Sequence, residues 1–460
     1  DRLARRGVLF ANAYVQQALC GPSRASVLTG VRPDRNRVWD LHTDFRASAP
    51  DLMSMPQYLI ARGYRSESIG KIYHNESTSP NHDGQSWTAE HFVQPASYRP
   101  MYGIPPFAYW QDPRSAPHIA QLMAEARLQG KESEEEQMKY ALAKFRPSTE
   151  AAEVPDEAYP DGFIAQEAIR RLGQYKTAPE PFFLAVGFIK PHLPFTAPQK
   201  YWDLYDRQSI ALEPFQAVAE GAPSQAYHSF GELRAYSDIE DSLDVGDVLP
   251  TDQQRALIHG YMACVSYVDA QLGKILDALD SLKMTKNTLI VLWGDHGFHL
   301  GDHTIWCKHS NLEQAVRAPL LFAGPKIPKN KRRDAPVEML DIFPTIFDVA
   351  GLPFPSQCQG KSLMPLMAGK KDAPEYAVSQ YPRGKQIMGY SLRTQRYRYT
   401  AWYSCKYTEG QSPLDGRLLA VELYDYLFDP QETVNLAGKL EVEAELREKL
   451  RTYFQNNSNK

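Results

Sequence analysis

Short apolar runs alternate with helical patterns through most of the chain. Pro181–Phe188, Thr288–Trp293 and Pro319–Phe322 are runs of apolar residues that predict buried strands. Apolar residues recur at helical spacing over Asp252–Leu282 and Gly162–Tyr175. This alternation predicts an α/β fold, with a large and mostly parallel sheet flanked by helices.

The pattern changes in the last quarter of the chain. Tyr390–Thr394, Tyr397–Trp402 and Glu422–Tyr426 are short, aromatic segments that predict antiparallel strands. A charged helix is predicted over Glu441–Phe454. These elements indicate a smaller α+β unit with its own sheet.

The sequence therefore predicts two domains. Residues 1–370 form the expected catalytic α/β domain, and residues 371–460 form the C-terminal subdomain. The stretch from Asn75 to Pro117 is rich in Pro, Tyr and polar residues and is expected to be irregular, as long loops of binding sites often are.

Composition excludes some classes of protein. The formal charge of -4 over 460 residues does not fit a nucleic-acid binder, so an anionic substrate would need a local cluster of cations. No apolar run is long enough to span a membrane. The five cysteines are scattered and odd in number, without metal-binding spacing: Cys20, Cys264, Cys307, Cys358 and Cys405.

One short motif concentrates chemistry near the start of the chain. Cys20-Gly-Pro-Ser-Arg24 is followed by Leu28-Thr-Gly30. A lone cysteine is usually a small buried residue, and that alternative applies to Cys20 taken by itself. The motif, however, resembles the C-x-P-S-R signature of the formylglycine-dependent (type I) sulfatases.

Three further clusters follow predicted strands. Gly70-Lys71-Ile-Tyr-His74 follows a strand at Ser66–Ile69, Lys190–Phe195 includes His192, and Asp295-His296 follows the strand that ends at Trp293. Lys308 lies one loop further on. Each residue alone would be an ordinary surface group, but strand ends in open α/β sheets are where sites gather.

A zinc site is the alternative for the histidines of this region. His296, His299, His303 and His309 follow one another closely. Because they lie in a glycine-containing loop and not on one helical face, a zinc site is not favoured.

The resemblance to sulfatases implies roles for the catalytic residues. Cys20 would be oxidised to formylglycine by a generating enzyme that acts on the unfolded chain, and Arg24 would hold the hydrate. His74 would assist the release of sulfate. Lys71, His192 and Lys308 would bind the sulfate oxygens, with His192 or Lys308 protonating the leaving oxygen.

The same resemblance implies a metal site. Asp295, His296 and the modified Cys20 would hold one calcium ion, although histidine is an unusual calcium ligand. Phe298 stands where the family places an aromatic residue near the sugar. The family takes two further aspartates from a strand before the cysteine, and that strand is expected to be missing from this chain.

Longer stretches resemble the branch of the family that acts on iduronate 2-sulfate. They include Ala11–Arg24, Lys190–Phe195, Ser379–Arg383 and Ile387–Thr394. The implied protein is exported, has the alkaline-phosphatase-like fold, and removes 2-O-sulfate from iduronate or glucuronate in sulfated saccharides. Arg393, and with it Arg396, would meet the uronate carboxylate, or would be solvent-facing strand arginines.

Two alternatives to this enzyme remain open. One is a phosphoesterase of the same superfamily, although those enzymes use Ser or Thr where this chain has Cys20. The other is an inactive carbohydrate-binding protein, which the missing aspartates would explain.

Overall fold

The computed structural model describes residues 1–74, 82–92, 110–240, 242–370 and 373–457. The longer helices are Cys20–Thr29, Ser115–Leu128, Glu134–Lys144, Pro160–Tyr175, Thr251–Ser281, Ile342–Ala350 and Val442–Asn457. Short helices are Arg2–Arg6, Pro33–Asn36, Phe45–Ser48, Met55–Ile60, Gln199–Trp202, Gly231–Arg234, Glu313–Val316 and Met364–Met367.

The strands belong to several sheets. They are Gly7–Phe10, Ala13–Tyr14, Arg65–Gly70, Thr149–Ala152, Phe182–Gly187, Phe195–Pro198, Ile290–Trp293, His299–Leu300, Trp306–Cys307, Leu320–Ala323, Lys331–Arg333, Val337–Glu338, Tyr376–Arg383, Ile387–Thr394, Tyr397–Ser404 and Arg417–Asp425. The strands and helices predicted from the apolar patterns are all among these elements.

The central sheet is mixed in direction. Its order is Lys331–Arg333, Gly7–Phe10, Leu320–Ala323, Ile290–Trp293. Leu320–Ala323 runs antiparallel to both of its neighbours, whereas the first two strands run parallel to each other. A separate parallel pair joins Arg65–Gly70 to Phe182–Gly187.

Two central strands have apolar side chains that are only half-buried. Phe182–Gly187 and Ile290–Trp293 each pair along one edge within the described part of the chain. Alternate residues of both strands pack on the same two hydrophobic clusters, one on each face. The two strands therefore lie in one layer, each with an open edge.

A pair of packed helices covers one face of this layer. Thr251–Ser281 and Pro160–Tyr175 pack together and bury Ile164, Leu172 and Ile275 against the strands. Each helix has one apolar face, which explains why their burial follows the helical repeat. Of the helices described, none is long and apolar enough to cross a membrane.

The C-terminal sheet is a four-stranded antiparallel meander from Tyr376 to Asp425. The helix Val442–Asn457 packs its buried Leu446 and Leu450 against it. The prediction of an irregular stretch over Asn75–Pro117 falls largely outside the described residues, but its end is wrong, because a helix begins at Ser115.

Candidate active site

Cys20 is the first residue of the helix Cys20–Thr29. Its side chain is buried, and the residue is only 3% exposed. Free backbone N–H groups at the start of a helix favour negative charge. An anion formed at position 20, whether thiolate or oxidised product, is therefore stabilised by the backbone itself.

Lys71 is brought to Cys20 by the pairing of two strand ends. Gly70 is the register partner of Gly187, and the backbone N–H of Lys71 donates to the carbonyl of Gly187 at 2.8 Å. A Cβ atom on Gly187 would lie 1.9 Å from the carbonyl oxygen of Lys71, so only glycine permits this approach. Nζ of Lys71 lies 3.4 Å from Sγ of Cys20.

Asp295 and His296 approach Cys20 from the end of the strand Ile290–Trp293. Nε2 of His296 lies 3.3 Å from Sγ of Cys20, and Nε of Arg24 donates to Asp295 at 2.7 Å. The imidazole Nδ1 lies 2.7 Å from the carbonyl of Gly297, which can only accept, so we assign the proton to Nδ1. Burial opposes a charge on this imidazole, but Asp295 and Cys20 raise its pKa above the ordinary value, so Nε2 of protonated His296 can donate to the sulfur.

Cys20, Asp295 and His296 form a group that could hold a metal ion. One potential ligand atom from each lies within 4.8 Å of the others. One thiol, one carboxylate and one imidazole are few ligands for a hard divalent ion, but conversion of the thiol to an oxygen group would add an oxygen donor. The three residues therefore fit one part of a metal site.

A second cluster joins His192 and Lys308 through an acidic residue. Nζ of Lys308 lies 3.3 Å from Nε2 of His192 and 2.7 Å from a carboxylate oxygen of Glu232. The same carboxylate lies 3.1 Å from Nε2 of His192 and 3.5 Å from Nε2 of His309. Glu232 thus contacts three basic side chains at once.

Charges around Cys20 favour its ionised form. Burial alone would raise the pKa of the Cys20 thiol, but the positive charge of Lys71, followed by that of Lys308, outweighs it. The pKa is therefore well below its usual value. Burial likewise opposes ionisation of Asp295, and Arg24 and His296 more than offset it, so the pKa of this carboxyl is also well below its usual range.

Charges in the second cluster keep Lys308 positive and Glu232 negative. Burial would lower the pKa of Lys308, but Cys20 and Glu232 raise it above its ordinary value. Burial would raise the pKa of Glu232, but Lys308 and His192 bring it well below its ordinary value. Burial lowers the pKa of His192, and Lys308 and Lys71 lower it further.

Comparison with known proteins identifies this arrangement. The family profile described as Sulfatase matches residues 1–352. The chain belongs to the sulfatase family. A second profile, described as N-sulphoglucosamine sulphohydrolase, C-terminal, matches residues 301–460.

Curated relatives of this sulfatase match over nearly all of its length. It is 32% identical to iduronate 2-sulfatase of Mus musculus, covering 95% of this chain and 85% of the relative. It is equally identical to iduronate 2-sulfatase of Homo sapiens, with 95% and 86% covered. The chain is thus a sulfuric ester hydrolase, of a family that generally uses formylglycine and a divalent metal ion.

Solved structures agree in fold. A 2-O glycosaminoglycan sulfatase superposes with a TM-score of 0.68 at 22% identity, covering 100% of this chain and 86% of the other. A phosphonate monoester hydrolase from Silicibacter pomeroyi gives 0.71 at 22% identity, covering 100% and 89%. At this identity the likeness shows the fold alone, which is the expected alkaline-phosphatase-like fold of sulfatases with a C-terminal domain.

The sulfatase site contains most of the residues expected from its sequence. Cys20, Arg24, Lys71, Asp295 and His296 form the first cluster described above, and His192 and Lys308 belong to the second.

Two expected residues lie beside these clusters. His74 ends the described segment that follows Lys71, and its role in catalysis stays a prediction. Phe298 packs against Phe195 and Tyr261, with ring centroids 5.9 and 5.4 Å apart. Its contact with a sugar also stays a prediction.

Arg393 and Arg396, which are expected to meet the substrate, both pair with acidic residues. Arg393 is 6% exposed, and its Nε lies 3.3 Å from Glu313. Arg396 pairs with Asp425 at 2.6 Å. Both guanidinium groups have carboxylate partners within the chain, and contact of either with a uronate stays a prediction.

Glu232 was not expected from the sequence. It lies in the short helix Gly231–Arg234. An isolated acidic residue in a polar segment belongs to no sequence motif, so nothing in the sequence marks it as a site residue. The zinc alternative fails for His299, whose two nitrogens lie 2.5 Å from Asp302 and 2.8 Å from Ser310. His299 is a buried structural residue.

Proposed function

We propose that this sulfatase removes 2-O-sulfate from iduronate or glucuronate residues of sulfated saccharides. The observation that carries the proposal is the 32% identity with iduronate 2-sulfatases over 95% of the chain, together with the cationic groups around Cys20. A sulfate ester needs such groups around its oxygens.

The nucleophile is proposed to come from Cys20. A formylglycine-generating enzyme would convert the thiol to an aldehyde, whose hydrate supplies one hydroxyl to attack sulfur and a second to expel sulfate as the aldehyde re-forms. Lys71 binds a sulfate oxygen beside the nucleophile, because its Nζ lies 3.4 Å from Sγ. Arg24 holds Asp295 in place at 2.7 Å.

His192 is proposed to protonate the leaving oxygen. Its Nδ1 lies 2.7 Å from the carbonyl of Leu193, which leaves Nε2 to face Lys308 and Glu232. The lowered pKa makes protonated His192 a stronger acid than Lys308, whose pKa is raised. Lys308 then serves as a fixed positive charge for the sulfate oxygens.

Calcium is the proposed metal. Asp295, His296 and the converted Cys20 would hold it, and the ion would polarise one sulfate oxygen. Calorimetric titration with calcium tests this site: the chain with converted Cys20 should bind the ion, and D295N should bind it more weakly. Equal affinity of the two proteins would contradict this part.

A substrate panel tests the proposed function. Chain with Cys20 converted, as confirmed by mass, is assayed with divalent cation on iduronate 2-sulfate and glucuronate 2-sulfate disaccharides. Glucosamine 6-sulfate, an aryl phosphate and a phosphonate monoester serve as comparison substrates, and C20A is the control. The proposal requires a preference for the uronates; faster cleavage of phosphorus esters would favour the alternative enzyme.

Export from the cytoplasm is proposed from the family resemblance. Fractionation of the producing cells tests it, and recovery of the native protein only in the cytoplasm would contradict it.

A further inference from the structure

Arg383 is a half-buried arginine that has no acidic partner among the described residues. It ends the strand Tyr376–Arg383, and its guanidinium donates to the carbonyls of Gln225 at 2.8 Å, Ala226 at 3.2 Å and Pro382 at 3.2 Å. Among the residues that the structure describes, no carboxylate lies within ion-pair distance of it. Burial lowers its pKa to about 10, despite the opposing effects of Tyr381 and Glu422.

The fully buried arginines of the described residues are neutralised. Each pairs with a carboxylate at 3.3 Å or less: Arg24 with Asp295, Arg32 with Glu338, Arg171 with Glu67, Arg393 with Glu313, and Arg398 with Glu313 and Glu432. A buried charge is costly unless it is paired. Half-buried Arg333 also donates only to backbone carbonyls, so the lack of a carboxylate at Arg383 points to an external anion only together with its place beside the active site.

Arg383 lies beside the second catalytic cluster. Its guanidinium carbon is 5.0 Å from the ring centroid of Tyr381, and the Tyr381 ring is 6.0 Å from that of His309. His309 in turn contacts Glu232, which binds Lys308. A chain of direct contacts thus connects the unpaired guanidinium to the groups proposed to act on the leaving oxygen.

The surroundings hold the guanidinium in one orientation. It lies between the rings of Tyr381 and Trp402, at 5.0 and 5.4 Å from their centroids. Three of its five N–H donors go to backbone carbonyls, which leaves one N–H on each terminal nitrogen. Two such donors are what a carboxylate accepts from an arginine in a bidentate pair.

We infer that Arg383 is a specificity residue that binds the carboxylate of the uronate whose sulfate is removed. This inference rests on the proposed function. It assigns to Arg383 the role that the sequence suggested for Arg393 and Arg396, both of which pair with carboxylates of the chain. The sugar carboxylate would provide the missing counter-charge while the ester is held at Lys71 and Lys308.

The test compares two substrates on each enzyme variant. Wild type, R383Q, R383K and the matched control R396Q, all with converted Cys20, are assayed on a uronate 2-sulfate disaccharide. The same disaccharide with its carboxyl reduced to an alcohol is the second substrate. The ratio of the two kcat/KM values measures recognition of the carboxylate and does not depend on the fraction of folded enzyme.

Wild type and R396Q are expected to prefer the acid by roughly 10- to 100-fold, the range of a charge-assisted hydrogen-bonded pair. R383Q should bring the ratio close to unity, and R383K should lower it because lysine lacks the planar fork. A ratio that R383Q and R383K leave unchanged, or a wild-type ratio near unity, overturns the inference while the proposed function stands. Failure of wild type on both uronates, with sulfate released from another sugar, would instead refute the proposed function.

Discussion

The carboxylate of Glu232 lies 2.7 Å from Nζ of Lys308, inside a site that has to bind a negatively charged sulfate ester. It therefore has two opposing effects. It holds Lys308 charged and in position, and it repels the sulfate that the site accepts.

Replacement of Glu232 should separate these effects. E232Q is expected to lower kcat by about 10- to 100-fold, because Lys308 and His192 lose the group that orients them. Inhibition by free sulfate should become stronger, since one negative charge is removed. Steady-state kinetics with sulfate as inhibitor measures both, and E240Q, at an exposed position, is the control. Weaker inhibition by sulfate would contradict the assignment.

The pH dependence follows from the charges that face His192. Burial, Lys308 and Lys71 lower its pKa below the ordinary value of 6.5, and Glu232 opposes this. If protonated His192 is the acid, kcat/KM falls as the pH rises through this lowered pKa, so activity is greatest in acid. E232Q should move the falling limb to still lower pH. A limb displaced to higher pH in E232Q would exclude His192 as the acid.

Arg398 should be the most important arginine for stability in the C-terminal sheet. It is 1% exposed and pairs with Glu432 at 2.6 Å and also with Glu313, which begins the helix Glu313–Val316. R398M leaves the buried carboxylate of Glu432 without its arginine and removes one of the partners of Glu313, and should cost about 3–5 kcal/mol of unfolding free energy. Urea denaturation measures it. R396Q, whose pair with Asp425 is exposed to solvent and screened by it, should destabilise the protein far less.

Glu422 should make stability depend on pH. Burial raises its pKa from 4.5 to about 7, although Trp402 and Tyr424 donate hydrogen bonds to it. The folded state thus binds its proton more tightly, and this stability is fully present below pH 4.5 and lost as the pH rises through 7. Because glutamine does not ionise, E422Q removes this loss of stability at high pH and should stabilise the protein by up to about 3 kcal/mol at pH 8.

Thermal unfolding of wild type and E422Q across this pH range measures the effect of Glu422. The two curves should converge below pH 4.5, where the wild-type carboxyl is protonated in both states. A constant difference between them at all pH values would show that the carboxyl does not titrate as expected.

The sequence was informative where chemistry follows local pattern. Cys20 stands in a short motif, and Lys71, His192 and Asp295 follow apolar runs that end at one edge of the fold. An apolar run does not reveal strand direction, so the antiparallel course of Leu320–Ala323 could not be predicted.

Pairing between distant charges was equally invisible in the sequence. Arg393 and Arg383 look alike in a list of strand residues, yet one faces Glu313, 80 residues away, and the other faces backbone carbonyls. Glu232 reaches Lys308 across 76 residues of sequence. Such partners depend on the packing of whole elements, which no local pattern encodes.

The depth of the sulfur atom constrains the order of events during biosynthesis. A residue that is 3% exposed, in the first turn of a helix and in contact with Lys71 and His296, offers no passage for another protein's active site. Any enzyme that oxidises this atom has to arrive while the polypeptide is still extended. If Cys20 is converted as proposed, folding of the chain before that encounter would leave the thiol unconverted, so conversion would have to precede folding.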